Sequence, residues 1–94
     1  MKELNETAVK MINDFMIKNN IEEGSTIKIS SEDGDFCIIH KCTKKDKVLR
    51  TGRVWQVSSF KANGDPYEDE CFFTYKEAIA STLGWYTIVN EVIK

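Results

Sequence analysis

Phe72-Phe73-Thr74-Tyr75-Lys76-Glu77-Ala78-Ile79-Ala80-Ser81-Thr82-Leu83-Gly84-Trp85-Tyr86-Thr87-Ile88-Val89-Asn90-Glu91-Val92-Ile93-Lys94 sets the architecture of the chain. Thr74 and Glu77 stand three residues apart, the spacing of a capping box. In that motif the hydroxyl accepts from the third backbone N–H, and the carboxylate reaches back to the N–H of the cap. Phe73 holds the staple position before the cap, with Ala78 opposite it. Beyond the cap, Tyr75, Ile79, Leu83, Tyr86, Val89 and Ile93 recur at helical spacing. The reading is a strand that ends at Phe73 and turns directly into an amphipathic helix over Tyr75–Lys94. Gly84 interrupts it. A glycine costs about 1 kcal/mol in a helix interior, so it marks the point where this helix would kink or split.

Working back from that helix, four strand signals precede it. Tyr67–Phe73 is predicted to be the fourth strand, and its Glu68-Asp69-Glu70 run suits a solvated edge. Ala62-Asn63-Gly64-Asp65-Pro66 is a strong turn, because Asn-Gly accepts positive φ and Pro66 stops ladder pairing. Arg53–Phe60 reads as the third strand. Phe36–Cys42 reads as the second, with Phe36, Ile38, His40 and Cys42 on one face and Cys37, Ile39 and Lys41 on the other. Asp33-Gly34 is a hairpin signal, and Thr26–Ser30 alternates as a first strand with Ile27 and Ile29 inward. Leu4, Ala8, Met11, Ile12, Phe15 and Met16 form one helical stripe, which predicts a helix over Leu4–Asn19 with Asn5 as its cap. Thr43–Lys47 is taken as a basic loop, and Val48–Gly52 as a hairpin flank or tip. The expected fold is therefore two-layer α+β in the order α-β-β-β-β-α. A four-stranded antiparallel meander would be flanked by an N-terminal and a C-terminal helix. The expected core is Leu4, Met11, Ile12, Phe15, Ile27, Ile29, Ile38, Trp55, Val57, Phe73, Ile79, Leu83 and Tyr86.

The 94 residues make one domain, spanning 1–94. A chain of this size builds one small core, and a deep catalytic cavity would compete with that core for side chains. No apolar run approaches the length of a bilayer span, and the polar N-terminus has no apolar signal segment behind it. Three cysteines at irregular spacing fit reduced thiols in a cytoplasm better than a disulfide framework. The expected location is therefore cytoplasmic, with no membrane partner.

Residue types that carry chemistry are present without the arrangements that chemistry needs. Cys37 points away from His40 and Cys42 on a strand, so the three cannot converge on one ion. No strained elbow, oxyanion loop or helix N-terminus marks Cys42 or Cys71 as a nucleophile. Glu68 and Glu70 share a strand face but lack the spacing of a calcium loop. No phosphate-binding glycine motif is present. The expectation is no catalytic residue, no metal and no cofactor. A thiol- or metal-dependent enzyme is kept only as a remote alternative.

Charge is the one positive signal. The net charge is −2, but residues 1–35 carry −4, residues 36–61 carry +6 and residues 62–94 carry −4. The middle segment holds Lys41, Lys44, Lys45, Lys47, Arg50, Arg53 and Lys61 against Asp46 alone. Such a stripe would suit a protein partner with an acidic surface, or a phosphate backbone on which Arg50 and Arg53 make forked contacts. From Trp55-Gln56-Val57 through Asn63-Gly64 to Phe73-Thr74-Tyr75-Lys76-Glu77-Ala78, the layout is similar to the arm-type DNA-binding domains of phage integrases. The resemblance covers about half the chain and implies a sheet entering a major groove. The N-terminal helix and the acidic balance depart from that pattern. The helix–sheet–helix order also resembles the double-stranded-RNA-binding fold, but Tyr75-Lys76-Glu77-Ala78 carries only one lysine at the start of its last helix. The leading expectation is a small non-enzymatic protein-binding module, of the kind common among phage and mobile-element accessory proteins. Nucleic-acid binding through Lys41–Lys61 is the alternative.

Overall fold

Asn5, itself extended at φ −78 and ψ 169, caps the first helix by accepting the Ala8 N–H at 2.8 Å on its side chain. The computed structural model describes residues 5–93, so the expected helical start and core position at Leu4 lie outside the described residues, as does Lys94. The elements run α1 (Glu6–Lys18), β1 (Thr26–Ser30), β2 (Phe36–Lys41), α2 (Lys45–Thr51), β3 (Trp55–Phe60), β4 (Pro66–Phe72), α3 (Tyr75–Thr82) and β5 (Ile88–Ile93). The class is α+β, as the hydrophobic periods require. The sheet has five antiparallel strands, not four, in the order β4-β3-β2-β1-β5.

Both tight hairpins are built alike. Gly34 N–H donates to Ser31 O at 3.1 Å and Ser31 N–H to Asp35 O at 2.8 Å. The second turn repeats this with Gly64 to Lys61 at 2.8 Å and Lys61 to Asp65 at 2.9 Å. Each glycine sits at φ +92, where an L side chain is disfavoured. The Asp35 carboxylate accepts the Ala62 N–H at 3.0 Å and so ties the two turns side by side.

The long C-terminal helix of the sequence reading is corrected. Its start is as expected: the Thr74–Glu77 capping box forms with both reciprocal bonds. Its end is not. The helix stops at Thr82, whose carbonyl accepts from Trp85 N–H at 3.2 Å and Tyr86 N–H at 3.0 Å. Leu83 at φ −64, ψ 134 and Gly84 at φ +95 complete a type II turn, which requires positive φ at its third residue. The β-branched run that follows, Thr87-Ile88-Val89, then pairs with β1. As a strand it satisfies the outer edge of β1, and it places Val89 and Val92 against the core.

The core lies between one sheet face and the pair α1 and α3. Ile27, Ile29, Cys37, Ile39 and Val57 meet Ile12, Met16, Ile21, Tyr75, Ala78 and Ile79. Each fully buried isoleucine contributes on the order of 2 kcal/mol relative to exposure. Tyr75 joins the layers: its ring meets Trp55 edge-on at 5.0 Å, and its hydroxyl donates to Ser25 O at 2.7 Å. Phe15, Trp55, Leu83 and Tyr86 pack around this centre, half-buried. Three expected core positions are corrected. Met11 is 57% exposed and Phe73 is 37% exposed. Ile38 points to the other sheet face, because the register pairs Ile27 with Ile39 and Ile29 with Cys37.

That other face is partly covered. Phe36 and Phe60 stack at 5.0 Å, with the Lys28 ammonium 4.4 Å above the Phe36 ring. At the opposite end Gln56 and Cys71 are buried. The segment entering α2 lies over them, with the Thr43 N–H donating to Gln56 Oε1 at 3.4 Å.

Candidate functional site

The basic segment is not a hairpin tip. After β2, Cys42 N–H still donates to Val54 O at 2.8 Å, and the chain then winds into the short helix α2. Gly52, at φ +73, ends that helix by donating to Val48 O. Thr51 locks the exit, since its hydroxyl donates to Lys47 O at 2.6 Å and accepts the Arg53 N–H at 3.2 Å. The sequence reading missed this helix because Lys44 caps it without a side-chain hydrogen bond, leaving no capping signal to find.

Helical spacing sorts the cations. Lys47, Val48 and Thr51 turn inward and are half-buried, while Lys45, Asp46, Leu49 and Arg50 are exposed. Leu49 is 86% exposed, an apolar side chain between two cations. Lys44 reaches across to Asp69 of β4 at 3.6 Å. The Arg53 guanidinium lies 5.0 Å above the Phe73 ring. Lys41 ends β2 opposite Trp55. Six of the seven sequence-singled cations thus fall on α2 and the strand ends beside it. Lys61 does not: it opens the turn at the far end of β3, roughly 20 Å along the strand.

Behind α2, the sulfurs of Cys42 and Cys71 lie 3.6 Å apart. The Cys71 thiol is held above its ordinary range by burial first and then by its bond to Cys42, with Lys47 and Lys44 pulling the other way. Cys37 faces the core, and burial pushes it up to about 12. His40 Nδ1 donates to Lys41 O at 2.7 Å, which leaves Nε2 to accept from the Ser58 hydroxyl at 3.0 Å. Both ring nitrogens are engaged, and neither contacts a thiol. Among the described residues, no three His, Cys, Asp or Glu side chains gather as a metal site, and no helix is long and apolar enough to cross a membrane.

A second feature lies on the helix side of the sheet, between β4 and the turn after α3. A groove of about 360 Å³ is floored by Val57 and Ser59 and walled by Tyr67, Glu68, Glu70, Trp85 and Tyr86. A neighbouring hollow of about 340 Å³ shares Tyr67, Trp85 and Tyr86 and adds Asp35, Phe60 and Lys61. Trp85 is 77% exposed and Tyr67 68% exposed. Alternation along β4 was the sequence signal that placed Glu68 and Glu70 on one face. The aromatic side was hidden, because Trp85 and Tyr86 read as part of a helix. Set against protein families, curated proteins and solved structures, the chain matches none of them.

Proposed function

We propose that this protein is a non-enzymatic binding module that docks an acidic protein surface through α2 and the strand ends beside it. The observation that carries the reading is Leu49, exposed on α2 between Lys45 and Arg50. A phosphate backbone offers nothing to an aliphatic side chain, whereas a protein surface offers an apolar centre with a charged rim. Charge complementarity at such a rim governs association rate and partner choice more than raw affinity. The contact set is Lys45, Leu49 and Arg50 with Lys44 and Arg53 at its rim; Lys47, turned inward, Lys41, on the helix side of the sheet, and Lys61 lie outside it.

The test is a titration of isotope-labelled protein with a leucine-containing acidic peptide, followed by amide shifts. Shifts centred on α2, abolished by Lys45→Glu with Arg50→Glu and weakened by Leu49→Ala, support the reading. Binding that tolerates Leu49→Ala but falls with a steep salt slope, and that is reproduced by duplex DNA, moves the assignment to nucleic acid. No shift at α2 with either probe at low salt overturns both.

A further inference from the structure

We infer that the groove between β4 and the Thr82–Trp85 turn is a second binding site, which takes a cationic side chain, guanidinium or ammonium, from an extended segment of a partner protein. This inference does not depend on the role given to α2, because no residue is shared between the two surfaces and their charges are opposite.

Three observations converge. The first is aromatic exposure. Trp85 and Tyr67 line the groove largely uncovered, together with the half-buried Tyr86. A tryptophan prefers burial, and its face attracts cations through the ring quadrupole. The second is charge. Glu68 and Glu70 project from β4 to the same side as the groove, since they pair with Ser59 and Val57 of β3. Among the described residues neither has a cation within ion-pair distance; the β4 carboxylate that is paired, Asp69, lies on the opposite face with Lys44. The third is how the rim is built. Gly84 at φ +95 makes the turn that swings Trp85 away from the helix axis and over the strand. A continuing helix could not hold the indole there.

These features select the ligand chemistry. Anions are repelled by two free carboxylates. A purely apolar ligand would leave those carboxylates desolvated without a partner, which is costly. A planar guanidinium or an ammonium satisfies both surfaces at once, stacking on aromatic faces while donating to carboxylates. The groove is open along β4 and continues into the hollow beside Lys61, so it fits an extended segment crossing it better than an enclosed small molecule.

The chain offers its own internal control, since it has two tryptophans and Trp55 is packed against Tyr75 in the core. The experiment titrates the whole ¹⁵N-labelled protein with a nine-residue arginine–glycine peptide at 50 mM salt, with a glutamate–glycine peptide as control. The expected result is movement of the Trp85 indole N–H with the Trp55 indole stationary, and no response to the acidic peptide. Glu68→Gln with Glu70→Gln, or Trp85→Ala, should each weaken binding at least tenfold, while Asp46→Asn on α2, across the sheet from the groove, leaves it unchanged. All these positions are exposed, and circular dichroism of each variant reads whether the fold is kept. A stationary Trp85 indole overturns the inference. So does a loss with Asp46→Asn equal to that with the β4 pair, which would reduce the binding to general attraction by an acidic protein.

Discussion

Replacing Gly84 with alanine decides between the two readings of the last third of the chain, because they differ in sign. In the structure Gly84 sits at φ +95 as the third residue of a type II turn. A Cβ built there meets nothing within 4 Å, so the cost is backbone strain alone, about 1–2 kcal/mol. Stiffening the unfolded chain returns about 0.4–1 kcal/mol. The net expectation is a loss of about 1 kcal/mol, which for a domain of this size lowers Tm by roughly 4–8 °C. Were residues 75–94 one helix, the same substitution would place the best helix former at an interior position and raise stability by about 1 kcal/mol. Urea unfolding followed by far-ultraviolet circular dichroism measures the difference directly. Gly84→Asn adds a graded control, since asparagine tolerates positive φ better than alanine and should lose less. A Gly84→Ala protein that is more stable, with a stronger helical signal, would refute the turn and with it β5.

Thr74→Ala removes the acceptor for Glu77 N–H and should cost about 1 kcal/mol of stability in urea melts. Tyr75→Phe strands the Ser25 carbonyl in the core and should cost about 1–3 kcal/mol. Burial raises Tyr75 from 10 to about 12, so the folded state holds a proton that the unfolded state gives up above pH 10. Stability from this group is complete below pH 10 and is lost between there and about pH 12, and that part of the alkaline fall should vanish in Tyr75→Phe. A thiol reagent at pH 8 should find Cys42 first and Cys71 slowly, while Cys37, buried in the core, reacts only in denaturant. Three equivalent thiols in the native protein would contradict its placement.

Local rules carried the reading wherever one residue had one job. Asn5, the Asp-Gly and Asn-Gly turns and the Thr74–Glu77 box each act over three or four residues, and each stands where its pattern placed it. The failures came where two structures share one pattern. Val89 and Ile93 fit a helical stripe, but the strand they form is fixed by β1, 60 residues away along the chain, a distance no local period encodes. Ile38 and Ile39 are equivalent by composition, and only pairing with Ile27 decides which faces the helices. The basic segment was visible as charge, but its shape was not, because α2 lacks the cap that announces a helix. The aromatic groove was half visible: alternation put Glu68 and Glu70 together, while Trp85 faced them only once Gly84 had broken the helix.

β1 is an interior strand only because β5 lies beside it, joined by the ladder and by the Ser30 hydroxyl donating to Asn90 Oδ1. The other four strands zip through neighbours in the sequence, whereas this seam must close a long loop first. The two flanks of β1 therefore have different histories. Amides that point toward β2 are protected as soon as the first hairpin exists. Those that point toward β5 wait for the final docking, and they are released first whenever that seam breathes. Alternate amides along a single strand should then exchange with solvent at two distinct tempos, an odd–even signature of a sheet sewn shut from one side.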